Sequence, residues 1–338
     1  MQPDDPDVSA TPINLPSSER PTLFVVVDTE EEFDWSAPFS RQCTGVTAMR
    51  HIGRAQHIFE RFGITPTYVV DYPVASQQEG AAPLVEFVAG GRATIGAHLH
   101  PWVTPPHDEE VTRGNSFASN LVPALEAAKL SVLVETIERA FGARPQIYKA
   151  GRYGIAGRTL DALHSLGFIV DTSINPHMDY SREAGPDFRA FDARPWWLRH
   201  GLVEIPCTTG FAGLAGTAAG ARLHALASSV PSQLRAVGLL ARLGVTNRIM
   251  LSPEGSTLDE MKTLTRALVA RGMRTLTFSF HSPSVAAGHT PYVRSQPDLD
   301  RFLRSIEQYF DFFFGELAGR TTTPLAFRAA LRAATGSH

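Results

Sequence analysis

Cysteine is nearly absent from this chain: two of 338 residues, Cys43 and Cys207, far apart in sequence. That excludes a disulfide framework and the paired-cysteine spacing of zinc modules, and it fits two ordinary thiols in a reducing compartment. Long apolar runs are missing as well. No stretch approaches the roughly 18 residues that a membrane-spanning helix needs, so no membrane insertion is expected. There is no block of basic residues, and a formal net charge of −3 gives no reason to expect nucleic acid as a partner. The start, MQPDDPDVSATPINLPSSERP, has neither the positive end nor the apolar centre of an export signal. A cytoplasmic location is therefore the expectation.

What is present is a globular composition, 43% hydrophobic and 19% charged, in a chain long enough for one large α/β domain. Residues 1–20, rich in Pro, Ser and Asp, read as a disordered arm. Short apolar runs suited to buried strands are predicted at 23–27, 67–70, 93–97, 147–150, 168–170, 202–206, 248–251 and 275–280. Between them, helical periodicity covers 46–62, 82–89, 123–141, 159–166, 231–243 and 257–271, with a closing helix at 299–314. The alternation predicts a single domain over 21–315 with a parallel, barrel-like α/β architecture. Residues 316–338 read as a surface tail. A long Pro-rich loop is expected over 101–120, and loops of that length are usually functional or disordered. The small-residue stretch 210–220 reads as a loop without a legible role.

The chain is organised around residues 23–35, LFVVVDTEEEFDW. Five apolar residues are followed at once by Asp28, Glu30, Glu31, Glu32 and Asp34. In parallel α/β folds ligands sit beyond the carboxyl ends of the strands, and crowded carboxylates there repel one another unless a cation, a proton or an arginine intervenes. Other polar groups fall at equivalent places: His98 and His100 after one strand, Arg152 after another, then Asp171 and His281. In an extended segment, side chains two apart share a side, so the imidazoles of His98-Leu99-His100 can reach one ion, as can Asp28 and Glu30. Imidazoles with a carboxylate suit Zn²⁺ or a similar divalent ion. Arg152 in GRYG is placed to keep Asp28 ionised. Asp171 and His281 suggest a carboxylate–imidazole pair suited to a general acid. Trp35 and Trp102 are candidate walls for a sugar ring. Each of these residues, taken alone, is compatible with an ordinary polar loop or core position, and loop tryptophans are more often lids on the core than ligand platforms.

In order and over residues 21–314, these motifs resemble the polysaccharide deacetylases, the NodB-homology carbohydrate esterases, with the nearest likeness in the WalW-type branch. The resemblance implies a distorted (β/α) barrel. It implies Asp28 as general base, Glu30 as metal ligand with Glu31 in reserve, and His98 and His100 as metal ligands. It further implies Arg152 holding the base, the Tyr153 backbone amide at the oxyanion, Asp171 tuning the acid, and His281 as that acid. The sequence departs from the family pattern twice. Trp102 stands where the family's second histidine is spaced, and Asp-Thr-Glu replaces the usual Asp-Asp. His107 is an alternative ligand.

The resulting expectation is a hydrolase using one divalent ion, zinc foremost, to remove N-acetyl groups from an amino sugar or polysaccharide. The alternatives are another metal-dependent amidohydrolase or phosphoesterase on the same barrel, and a catalytically silent carbohydrate-binding protein.

Overall fold

The structure, a computed structural model, describes residues 1–335 except 4, 6 and 213–246. The expected helix at 231–243 and most of the loop at 210–220 lie outside the described residues.

Its centre is a parallel sheet. In chain order the strands are β1 (Thr11–Pro12), β2 (Thr22–Thr29), β3 (Thr67–Val70), β4 (Thr94–Leu99), β5 (Ile147–Ala150), β6 (Val170–Asp171), β7 (Trp196–Trp197), β8 (Val203–Glu204), β9 (Thr209–Ala212), β10 (Asn247–Met250), β11 (Thr275–His281) and β12 (Arg320–Thr321). The sheet runs β1-β7-β8-β6-β5-β4-β3-β2-β11, with β12 also pairing β2. From β8 through β11 every pairing is parallel. All eight residues of β2 are buried, as its Val-rich run requires. Helices at Gly53–Arg61, Gln78–Ala89, Pro123–Phe141, Gly157–Ser165, Leu258–Ala270 and Gln296–Phe310 complete the α/β alternation.

The segment 248–251 was expected to join the parallel sheet. Instead β10 pairs antiparallel with β9 in a separate two-stranded ribbon. The base of that ribbon reaches β11: Ser279 N–H donates to Leu251 O at 3.3 Å, and Thr277 N–H to Thr208 Oγ1 at 2.7 Å. The sheet is curled, and these bonds tie the ribbon to β11 at its edge. This is the distorted barrel that the family resemblance implies.

Both chain ends depart from expectation. The first 20 residues are not an unstructured arm, because β1 pairs with β7 and Val8 is fully buried. The tail does not trail away either. It adds β12 beside the start of β2, and the helix Pro324–Thr335 sets Phe327 edge-on against Phe24 at 5.2 Å. Composition suggested disorder for the arm. The few apolar residues there are enough to cover a sheet face.

Candidate active site

The strand ends converge as the parallel topology dictates. Asp28 lies in register with His281 on β11 and with Val69 on β3, while His98 lies in register with Lys149 on β5. Around them lies a cleft of about 760 Å³ that also takes in Trp35, Phe39, Tyr153, Tyr180 and Tyr292.

Glu30, His98 and His100 place one ligand atom each within 4.8 Å of the others. The Nε2 atoms of His98 and His100 are 3.5 and 3.4 Å from Glu30 Oε2. The far side of each ring is committed. His98 Nδ1 is 3.0 Å from the Lys149 carbonyl, and His100 Nδ1 is 2.7 Å from Glu31 Oε2. The Lys149 carbonyl can only accept, so His98 Nδ1 carries the proton. Glu31, raised to about 7 by burial, accepts from Trp102 and, when ionised, from His100 Nδ1, and both Nε2 lone pairs then face Glu30. Burial pushes His98 down and His100 down to about 4, which keeps the rings neutral. Burial likewise pushes Glu30 up to about 7, and its Oε1 is buried without a hydrogen-bond partner. Two lone pairs and a carboxylate aimed at one point are mutually repulsive until a cation or a proton joins them. Two histidines and a glutamate are a recognised catalytic zinc set, and the donor set here fits a divalent ion.

Glu31, held in reserve as a ligand, does something else. One oxygen accepts from His100 Nδ1, the other accepts from Trp102 Nε1 at 2.7 Å, and the Glu31 amide donates to Asp71 Oδ2 at 2.7 Å. Burial first, and then the neighbouring Glu31 carboxylate, drive Asp71 well above the usual carboxylate range. This places a carboxylate behind the His100 ring, the kind of outer partner that fixes ring orientation in metal sites. Trp102, expected as a sugar wall, is 2% exposed and packed between His100 at 4.2 Å and Phe39 at 4.4 Å. It anchors Glu31 instead of offering a free face. His107 is exposed and belongs to neither metal-capable group among the described residues.

The partner expected for Asp28 was Arg152. Lys149 takes that place, with Nζ 2.6 and 2.7 Å from the two Asp28 oxygens. Burial alone would raise the Asp28 carboxyl, but Lys149, His98 and His281 outweigh it and hold it below its ordinary value. The Lys149 ammonium is correspondingly raised despite its burial. Arg152 turns away to Ser116 and Glu183 and lies over the Phe117 ring at 4.2 Å. Its backbone and that of Tyr153 are left-handed, with φ of 51° and 62°. The glycine that matters beside them is Gly151. A Cβ there would run into the His100 ring and the Leu99 carbonyl.

The pairing expected between Asp171 and His281 does not form. Asp171 accepts from Ser173 at 2.5 Å and sits against Glu204, the two buried carboxyls both raised, by burial first. Glu254 replaces it: His281 Nδ1 lies 2.7 Å from Glu254 Oε2. Burial lowers the His281 pKa, but Glu254, Glu30 and Asp28 overcome it and bring it up to about 10. His281 Nε2 then faces Asp28 Oδ2 at 3.7 Å. Trp35 meets the His281 ring edge-on at 4.8 Å and lies against Tyr292 and Phe33, as a cleft wall.

Sequence reasoning passed over Lys149 and Glu254. Lys149 was legible in principle, because a lysine inside the apolar strand IYKA must find a carboxylate. Glu254 lies in the turn after β10 and carries no such signal.

No protein-family model matches the chain, and no curated protein matches its sequence. Its fold is similar to that of solved structures. One is a protein assigned as a polysaccharide deacetylase from Mycobacterium smegmatis, 13% identical with a TM-score of 0.50, the match covering 96% of this chain and 94% of that one. Another is the Puue allantoinase, 15% identical with a TM-score of 0.55, again covering 96% and 94%. At such identities the likeness establishes the fold. No helix among the described residues is long and apolar enough to cross a membrane.

Proposed function

We propose that this protein is a metal-dependent hydrolase that removes N-acetyl groups from an amino sugar or polysaccharide, in the manner of the WalW-type branch of the polysaccharide deacetylases. The observation that carries the reading is the pair of committed histidines. With both Nδ1 protons spent on Lys149 O and Glu31, two free Nε2 lone pairs and Glu30 Oε2 are aimed at one point.

Glu30, His98 and His100 are the residues that hold the ion. Such an ion, zinc foremost, supplies Lewis acidity toward a carbonyl oxygen and acidifies a water. Asp28 is the base. Its carboxylate, kept ionised by Lys149, accepts a proton from the attacking water. His281, kept protonated by Glu254, donates from Nε2 to the departing amine. The two groups differ in proton affinity in the direction this division of labour requires, with the acid raised and the base lowered. In this reading the backbone amide of Tyr153 serves as the oxyanion donor, and loss of one such donor typically costs about 100- to 1000-fold in rate. Trp35 and Tyr292 form one wall against a sugar ring, and Tyr153 stacked on Tyr180 at 5.4 Å forms another.

Acetate release from N-acetylated oligosaccharides, with and without chelator, tests the reading. The expected result is chelator-sensitive release, abolished by D28N and by H281A. Release that either variant leaves intact, or that chelation does not touch, overturns it.

A further inference from the structure

Lys129 sits on the helix Pro123–Phe141 and is fully buried, yet it has no part in the chemistry above. Its ammonium donates to three backbone carbonyls: Pro101 O at 2.9 Å, Thr104 O at 2.6 Å and Pro106 O at 2.7 Å. Glu109 Oε1 lies 3.1 Å away and balances the charge. All four partners belong to the segment that leaves β4 directly after His100. That segment opens as a single turn, with the amides of Val103 and Thr104 directed at His100 O at 3.4 and 3.1 Å. The turn carries Trp102, whose indole N–H fixes Glu31, which in turn fixes His100 Nδ1.

A lysine suits this place for a physical reason. A turn and a Pro-rich loop leave carbonyls that few neighbouring amides can satisfy, because Pro101, Pro105 and Pro106 contribute no N–H. A compact cation with three rotatable donors gathers them from one point. An apolar residue there leaves the carbonyls buried and unpaired, and the turn is then free to shift toward water.

We propose that Lys129 is a positioning residue for the metal centre. It clamps the turn after His100 so that Trp102 and Glu31 hold the His100 ring with Nε2 toward Glu30. The inference rests on the metal-centre reading given above. Outer partners of metal ligands typically matter about 10- to 100-fold in affinity, and Lys129 acts one step further out, through the backbone.

Co²⁺ binding to the full chain provides the test, read by its visible absorption and by titration under conditions where circular dichroism shows the protein folded. K129M is expected to weaken Co²⁺ binding about tenfold and to alter the absorption bands. L268A, a core truncation in the helix Leu258–Ala270, serves as a control. It is expected to lower the melting temperature while keeping the native affinity and bands. K129M with native affinity and native bands overturns the inference, whatever its melting temperature. The same follows if L268A disturbs the bands as much as K129M. Should K129M fail to fold, K129R is read in the same way, since its longer planar fork cannot reach the three carbonyls from one point. A wild-type protein that binds no Co²⁺ fails the metal-centre reading itself and this inference with it. Wild-type binding with an unaffected lysine variant fails this inference alone.

Discussion

His281 Nδ1 donates to Glu254 Oε2 at 2.7 Å, and the His281 backbone amide donates to the same carboxylate at 3.2 Å. Ser284 donates to the other Glu254 oxygen. Glu254 therefore has its orientation fixed from two sides, and His281 has a fixed tautomer once it loses a proton. Replacing the carboxylate removes the main influence that raises the imidazole. In E254Q the His281 pKa falls from about 10 toward its ordinary value, and the alkaline limb of the kcat/KM profile moves to lower pH. D171N leaves that limb in place. A shift in D171N but not in E254Q would reverse the assignment.

The same pair predicts a pH-dependent stability. The folded-state pKa of His281 is about 10 against an ordinary 6.5. Proton binding therefore favours the folded state, fully below about pH 6.5, and the contribution is lost as pH rises through 10. Melting temperatures of the wild type are expected to fall over that window more steeply than those of E254Q.

Lys149 and Asp28 form a buried ion pair at 2.6 Å. In K149M, burial acts on Asp28 unopposed by its nearest cation, so the carboxyl protonates at higher pH. The acid limb of the kcat/KM profile then moves up, and removing one partner of such a pair costs about 3–5 kcal/mol of stability. Denaturant unfolding together with the pH profile checks both parts. An unmoved acid limb rules Asp28 out as the base.

Glu31 is expected to behave as an outer partner and not as a ligand. E31Q should weaken metal binding by about 10- to 100-fold, and E30Q should weaken it more. Isothermal titration with Zn²⁺ orders the two, and the reverse order would exchange their roles.

Phe327 of the C-terminal helix packs on Phe24 of β2 and is 9% exposed. F327A is expected to cost about 3 kcal/mol in denaturant unfolding, as phenylalanine truncations in cores do. A cost near zero would mean that the helix is not seated there in solution.

The fold was legible because its signals were local and repeated. Strand 147–150 and helix 123–141 were bounded correctly, the helix by Gly142, which adopts the left-handed φ of 74° that ends helices. The convergence of Asp28, Glu30, His98, His100 and His281 followed from parallel strands alone. The pairings did not. Arg152 and Lys149 are three residues apart, and whether one or the other reaches Asp28 depends on the left-handed turn at Arg152, which its residue type does not announce. Asp171 was matched to His281 by type, but Glu204 stands beside it in register on β8 and takes it up. The termini were misread because composition reports average polarity. It does not report whether Val8 or Phe327 finds a sheet to cover.

One consequence concerns residues 28–31. Side chains alternate along an extended segment, so Asp28, the proposed base, and Glu30, the proposed ligand, share a side, while Glu31 turns behind His100. Removing Thr29 or inserting one residue after Val27 would exchange base, ligand and anchor at a stroke. Single substitutions in this stretch each cost one role. A change of chain length costs all three, so directed evolution of this site can vary its letters but not its spacing.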